Sequence, residues 1–237
     1  LQLMFRTLDD GCNTVHQILQ AGLLPAAAEI MDRFCLEAVA KHRKTEHDPA
    51  IGCCIIVEID GEDDAALDTQ ARRMEDVAKR CGVYQFRVAQ SQQESDELWA
   101  IRRGLSSAIA SLVPNRLGED ISVPRDAFPE VVRRISAIAE KHKLTIAVYG
   151  HAGDGNIHPS VLCDLSKPGE EERVHRAVEE IFDATLAVGG TLSGEHGIGI
   201  TKRPYIAKAL GQSGVKALGA VKQALDPTGI LNPGKIW

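Results

Sequence analysis

Apolar positions recur with a helical period over residues 32–42, 62–81 and 94–112, and short β-branched runs at 51–59 and 83–88 lie between them. The rhythm continues with a short strand at 119–123, a helix at 126–141 carrying Asp126 as its N-cap, and strands at 144–149 and 157–162. Pro168 and the acidic triplet Glu170, Glu171 and Glu172 open a further helix. Its Val174, Val178, Ile181, Phe182 and Thr185 share one face, and Gly189-Gly190 stops it. Residues 206–210 and 215–225 are again helical, and the closing DPTGILNPGKIW is turn-rich.

Strands alternating with helices suit a parallel sheet, but Asp154-Gly155 between two strands signals a hairpin, and long continuous apolar strands are missing. The expected fold is therefore α+β, an antiparallel sheet with helices on one face. Residues 1–205 form the main domain and residues 206–237 a helical C-terminal tail.

Composition narrows the class. With 237 residues, 44% hydrophobic and 25% charged, the chain can bury a substantial core, which excludes disordered and collagen-like types. A net charge of -6 without a basic face, and 4% aromatic residues, argue against nucleic acid as a partner. No apolar run reaches the roughly 18 to 20 residues of a membrane span. The six cysteines show no C-x-x-C spacing and read as small buried residues in a reducing, cytoplasmic setting. The opening LQLMFRTL reads as the continuation of a longer polypeptide.

The chemistry concentrates in YGHAGDGNIH, residues 149–158. A two-residue turn at Asp154-Gly155 would set Gly153 opposite Asn156, Ala152 opposite Ile157 and His151 opposite His158. Facing residues hold their Cβ atoms about 4.5–5.5 Å apart, from which two ring nitrogens can converge on one ion. Glycines at 150, 153 and 155 would leave room for a ligand. A facing histidine pair is equally compatible with two surface residues, so a third ligand decides the reading. TLSGEHGIGITK, residues 191–202, supplies Glu195 and His196 in a loop of small residues. Two histidines and one carboxylate with an open position form a catalytic metal set, and whichever of Glu195 and His196 does not ligate stays nearby, His196 then being a natural general base. The loop lacks the G-x-x-x-x-G-K frame of a phosphate loop, and the residues after Asp154 lack the later oxygens of a calcium loop. In LWAIRRGLSS, Arg102 lies at the edge of an apolar helical stripe and could grip a carboxylate; pattern alone does not separate it from Arg103 or from a surface ion pair.

HAGDGNIHP, SGEHGIGITK and DPTGILNPGK, with PAAAEIMDR and GEDISVPRDAFPEVV, resemble in order the C-terminal half of FAD-linked oxidases of the vanillyl-alcohol oxidase type. Within that family the likeness points to glycolate oxidase flavoprotein subunits and D-lactate and D-2-hydroxyglutarate dehydrogenases. The resemblance implies a substrate-binding cap domain with a ferredoxin-like antiparallel sheet, whose FAD is bound mainly by a separate N-terminal domain. It further implies that His151, His158 and Glu195 hold a divalent metal (Zn, Mn or Fe), that His196 is the base, that Arg102 contacts the substrate carboxylate, and that Asn232 reaches toward the flavin. Ser160 and Gly118 stand where the hydroxyglutarate enzymes carry asparagine and lysine, which favours a short 2-hydroxy acid over a dicarboxylic one. Implied partners are the FAD domain of the parent chain and other oxidase subunits. On this reading the chain without flavin is catalytically inert. Two other readings stay open at this level: a metal-dependent hydrolase, and a non-catalytic ligand-binding or docking module.

Overall fold

A computed structural model describes residues 1–237. Strand β1 (Gln2–Phe5) passes through Thr7, whose hydroxyl accepts the Asp10 N–H, into helix α1 (Leu8–Gln20). Strand β2 (Ala27–Asp32), α2 (Arg33–Arg43), β3 (Cys53–Glu58), α3 (Asp64–Arg80) and β4 (Gln85–Arg87) follow. These four strands run antiparallel in the order β4-β1-β3-β2, the ferredoxin-like arrangement. The chain continues through α4 (Gln92–Arg103), α5 (Leu105–Ala110), β5 (Asn115–Gly118), β6 (Ile121–Ser122), α6 (Phe128–His142), β7 (Thr145–His151), β8 (Asn156–Cys163) and α7 (Glu170–Ala187). Strand β7 docks on β2 and extends the same sheet through β8 to β5, and β6 pairs with the start of β8. A 3-10 turn (Arg203–Tyr205) leads into α8 (Ile206–Leu225).

Strand alternation divides the core into two layers. Leu3, Phe5, Ile30, Ile55, Val57, Val148, Ile157 and Val161 point to the face covered by α1, α3, α6 and α7. Met31, Cys54, Ile56, Ala147, Tyr149 and Leu162 point to the other face, against α2 and α5. The antiparallel sheet agrees with the expected class, and helices cover both of its faces. Asp32 ties the layers together: its carboxylate accepts Cys35 N–H (2.8 Å), capping α2, and Val148 N–H (2.7 Å) from β7. All six cysteines are free, and no helix is long and apolar enough to cross a membrane.

Several boundaries differ from expectation. The sequence reading did not anticipate β1, α1 or β2. The helix expected at 94–112 is broken at Gly104 into α4 and α5. Helix α6 starts at Phe128 after Ala127 and has no side-chain cap, because Pro129 in its first turn already fixes a helical φ; Asp126 is not its N-cap. Gly211 leaves helical geometry inside α8, preserving the division expected between 210 and 215.

The hairpin register differs by two residues from the one Asp154-Gly155 suggests. Tyr149 faces His158, and His151 pairs with Glu29 on β2. Neighbouring strands outcompete the tight turn: β6 takes Asn156 and Ile157, and Gly153 N–H goes to Ala28 O. A four-residue turn remains, closed by Asp154 N–H to His151 O at 3.0 Å. Because side chains alternate with period two, an even shift keeps both histidines on one face.

Candidate active site

His151 and His158 project from the ends of β7 and β8 that meet at the turn, on the face that α2 and α5 cover elsewhere. They are diagonal rather than directly opposed, with ring centroids 5.2 Å apart and planes nearly perpendicular. Behind His151, the buried carboxylate of Glu29 accepts from Nδ1 through Oε1 and from Arg102 Nε through Oε2 at 2.7 Å. The bond to the Glu29 carboxylate places a proton on His151 Nδ1 and turns Nε2 toward the site without a hydrogen-bond partner.

The loop carrying Glu195 and His196 reaches the site because Thr191 forms a bridge with Ser122 of β6. Asp120, wholly buried between β5 and β6, then gathers the loop around one oxygen. Its Oδ2 accepts the Ser193 hydroxyl (2.8 Å) and the N–H groups of Gly194 (3.0 Å), Glu195 (2.9 Å) and His196 (2.8 Å). Burial would raise the Asp120 carboxyl, but these donors and the Lys202 charge outweigh it and hold it at about 2. Lys202, itself buried, donates to Asp120 O and Leu192 O from the far end of the loop. Gly194 is required by close approach: a Cβ there would lie 2.6 Å from Asn156 Nδ2.

The result is a convergence of acceptors. Glu195 Oε1 lies 3.3 Å from His158 Nε2, 3.5 Å from His151 Nε2 and 3.8 Å from His196 Nε2. Ligating atoms of His151, His158 and Glu195 all lie within 4.8 Å of one another, and so do those of Asp120, His158 and His196. Burial, and then the neighbouring His151, push His158 down to about 4, so its ring is neutral near pH 7 with a lone pair to share. Two imidazoles with their Nε2 atoms turned inward and a half-exposed carboxylate fit a divalent cation held with an open side. His196 stacks on His158 with centroids 5.3 Å apart and stays largely exposed, where it can meet a ligand.

The structure thus brings together His151, His158, Glu195 and His196, with Arg102 joined to them through Glu29. Asn232 sits in an exposed turn of the tail with φ +49°, and no side-chain hydrogen bond links it to the cluster. The tail does return to the same loop, through Ile236 N–H to Gly199 O at 2.9 Å. Ser160 and Gly118 pair directly across β8 and β5, and the buried Ser160 hydroxyl lies 3.4 Å from Tyr149 OH. Glu29, Asp120 and Lys202 escaped the sequence reading. A groove of about 500 Å³ between α3 and α4 contains no histidine or cysteine.

The family described as FAD linked oxidases, C-terminal domain, matches residues 1–236. The chain is 35% identical over 237 residues to the glycolate oxidase subunit GlcD of Bacillus subtilis (strain 168), covering 100% of this chain and 50% of that protein. It is 28% identical over 243 residues to a D-lactate dehydrogenase of Anaerostipes hadrus, covering 100% of this chain and 51% of that one. The chain spans about half the length of these curated relatives. Among solved structures, 4-ethylphenol oxidase from Gulosibacter chungangensis superposes with a TM-score of 0.69 at 19% identity, over 99% of this chain and 52% of that one, a likeness of fold.

Proposed function

Because the chain belongs to the family of C-terminal domains of FAD-linked oxidases, we propose that it is the substrate-binding portion of a flavin-dependent dehydrogenase or oxidase of short 2-hydroxy acids, of the glycolate or D-lactate kind. One observation carries the chemistry: His151 Nε2, His158 Nε2 and Glu195 Oε1 face one another at 3.3–3.5 Å across the carboxylate, and none of them makes a hydrogen bond. Three potential ligand atoms turned inward, with no hydrogen bond among them, suit a shared cation.

A divalent ion held by His151, His158 and Glu195 (zinc, manganese and iron all suit such donors) would lower the pKa of a substrate hydroxyl, and flavin from the other half of the parent protein would accept the hydride. His196 takes the hydroxyl proton on Nε2, the ring nitrogen nearest Glu195. Arg102 spends Nε on Glu29 and keeps both terminal nitrogens for the substrate carboxylate. Ser160 and Gly118 present no charge that would hold a second carboxylate, which supports a short substrate.

The tail, residues 206–237, belongs to the packing of the whole enzyme. Leu210, Leu218, Val221, Leu225, Ile230 and Leu231 are exposed on it, an apolar surface suited to the flavin-bearing half of the parent chain, and Asn232 in the same tail is the residue that would reach the flavin.

Titration of the purified chain with zinc and manganese, with elemental analysis, tests the metal set. One ion per chain is expected, with a loss of at least 100-fold in affinity for His151→Ala and Glu195→Gln. In the parent enzyme the same variants should reduce kcat/KM for glycolate and D-lactate by at least 100-fold. Unchanged values in both assays would refute the assignment.

A further inference from the structure

Both Nε2 atoms can face Glu195 as lone pairs only if each imidazole carries its proton on Nδ1. For His151 the acceptor of that proton is in place, Glu29. For His158 the contact is not closed: its Nδ1 is buried without a hydrogen-bond partner, and so is Asp120 Oδ1 at 3.9 Å. One of these orphaned atoms is a proton donor in the required tautomer and the other a carboxylate oxygen, so each is the chemical complement of the other. Asp120 Oδ2 already holds the Glu195–His196 loop through four donors.

We propose that Asp120 is the positioning residue of this site, Oδ2 fixing the loop that supplies Glu195 and Oδ1 receiving the Nδ1 proton of His158. One side chain thereby sets the two ligating elements in register. The site then consists of two carboxylate-backed imidazoles, Glu29 behind His151 and Asp120 behind His158, a pattern that orients ligating histidines and raises their basicity. Its consequence for metal binding rests on the function proposed above; the tautomer itself does not.

The tautomer is therefore the readout. In long-range proton–nitrogen NMR of the metal-free, 15N-histidine-labelled chain at pH 7, His158 is expected to be protonated at Nδ1 and bare at Nε2. In Asp120→Asn the single amide oxygen stays with the four loop donors and the NH2 turns to His158 Nδ1. That drives the proton to Nε2 and weakens zinc binding 10- to 100-fold. Ser193→Ala, which removes one of the four contacts to Oδ2 and the Gly197 N–H contact but leaves Oδ1 and His158 untouched, should keep the His158 tautomer and so controls for Asp120→Asn failing to fold. An Nε2-protonated His158 in the unaltered chain, or an unchanged tautomer in folded Asp120→Asn, overturns the proposal. Failure of the unaltered chain to bind zinc, with the tautomers as expected, overturns the metal assignment and supports the role of Asp120.

Discussion

At Gly155 φ is +80°, and an added Cβ would lie 2.1 Å from the carbonyl oxygen of Val123. The residue must be glycine twice over, for its left-handed backbone and for the strand pressed against it. Gly155→Ala should cost about 2–4 kcal/mol, combining left-handed strain with displacement of Val123. Urea unfolding measures it, and a loss under about 0.5 kcal/mol, the range of an ordinary surface change, would refute this account. The same glycine shows what a short motif can and cannot reveal. Asp154-Gly155 announced a turn and put His151 and His158 on one face, which parity guaranteed, but their diagonal offset depends on β6, more than thirty positions earlier in the chain. Glu195 and His196 were legible because they lie next to each other among glycines. Glu29 was not, since its partner His151 lies 122 residues away, and Asp120 was not, since its donors begin 73 residues on. Both are unremarkable carboxylates until the fold buries them.

Elements differ in how far local sequence governs them. Helices α3, α6 and α7 carry strong apolar stripes and were visible within a few residues of their observed ends. Strand β2 reads AAEIMD, alanine-rich with a central glutamate, and nothing in it favours an extended chain except the neighbours it acquires on both sides, β3 and β7. Helix α1 contains Gly11, Asn13 and Thr14, poor helix formers, and is held by its Thr7 cap and by burial of Cys12, Val15 and Ile18. Asp32 shows the same dependence on tertiary structure, because it caps α2 and at the same time receives a β7 N–H. Asp32→Ala should therefore cost more than a cap alone. Losing the cap costs about 1 kcal/mol and leaving the buried Val148 N–H unpaired adds about 1–3 kcal/mol, roughly 2–4 kcal/mol together. Denaturant unfolding is the measurement, and a loss near 1 kcal/mol would mean that the link to β7 contributes nothing.

On the scale of the whole molecule, the distribution of exposed apolar residues is uneven. Leu218, Val221 and Leu225 follow one another at helical spacing on α8, with 44%, 56% and 78% of their surface exposed, and Ile230 and Leu231 farther along the tail are exposed as well. Little of the sheet depends on these side chains, as Ile206 is the one buried residue of α8. Replacing all three by glutamate should therefore leave the melting temperature of the isolated chain nearly unchanged. If the tail seats a flavin-bearing half as proposed, the same triple variant in the full-length flavoenzyme should loosen that junction, seen as a faster rise of free-flavin fluorescence on dilution. The two readouts separate the possibilities: a lowered melting temperature in the isolated chain would make the patch part of this domain's own core. Unchanged flavin retention would mean that the other half of the enzyme packs elsewhere. The arrangement also bears on where the chemistry takes place. On the proposed function His151, His158, Glu195 and His196 would bind an acid and remove a proton, and none of these groups accepts a hydride. The tail returns through Ile236 to Gly199 of the loop that carries Glu195 and His196. A flavin-bearing partner seated on the tail would lie next to that loop, and on the proposed function the tail's apolar surface would align hydride acceptor with base.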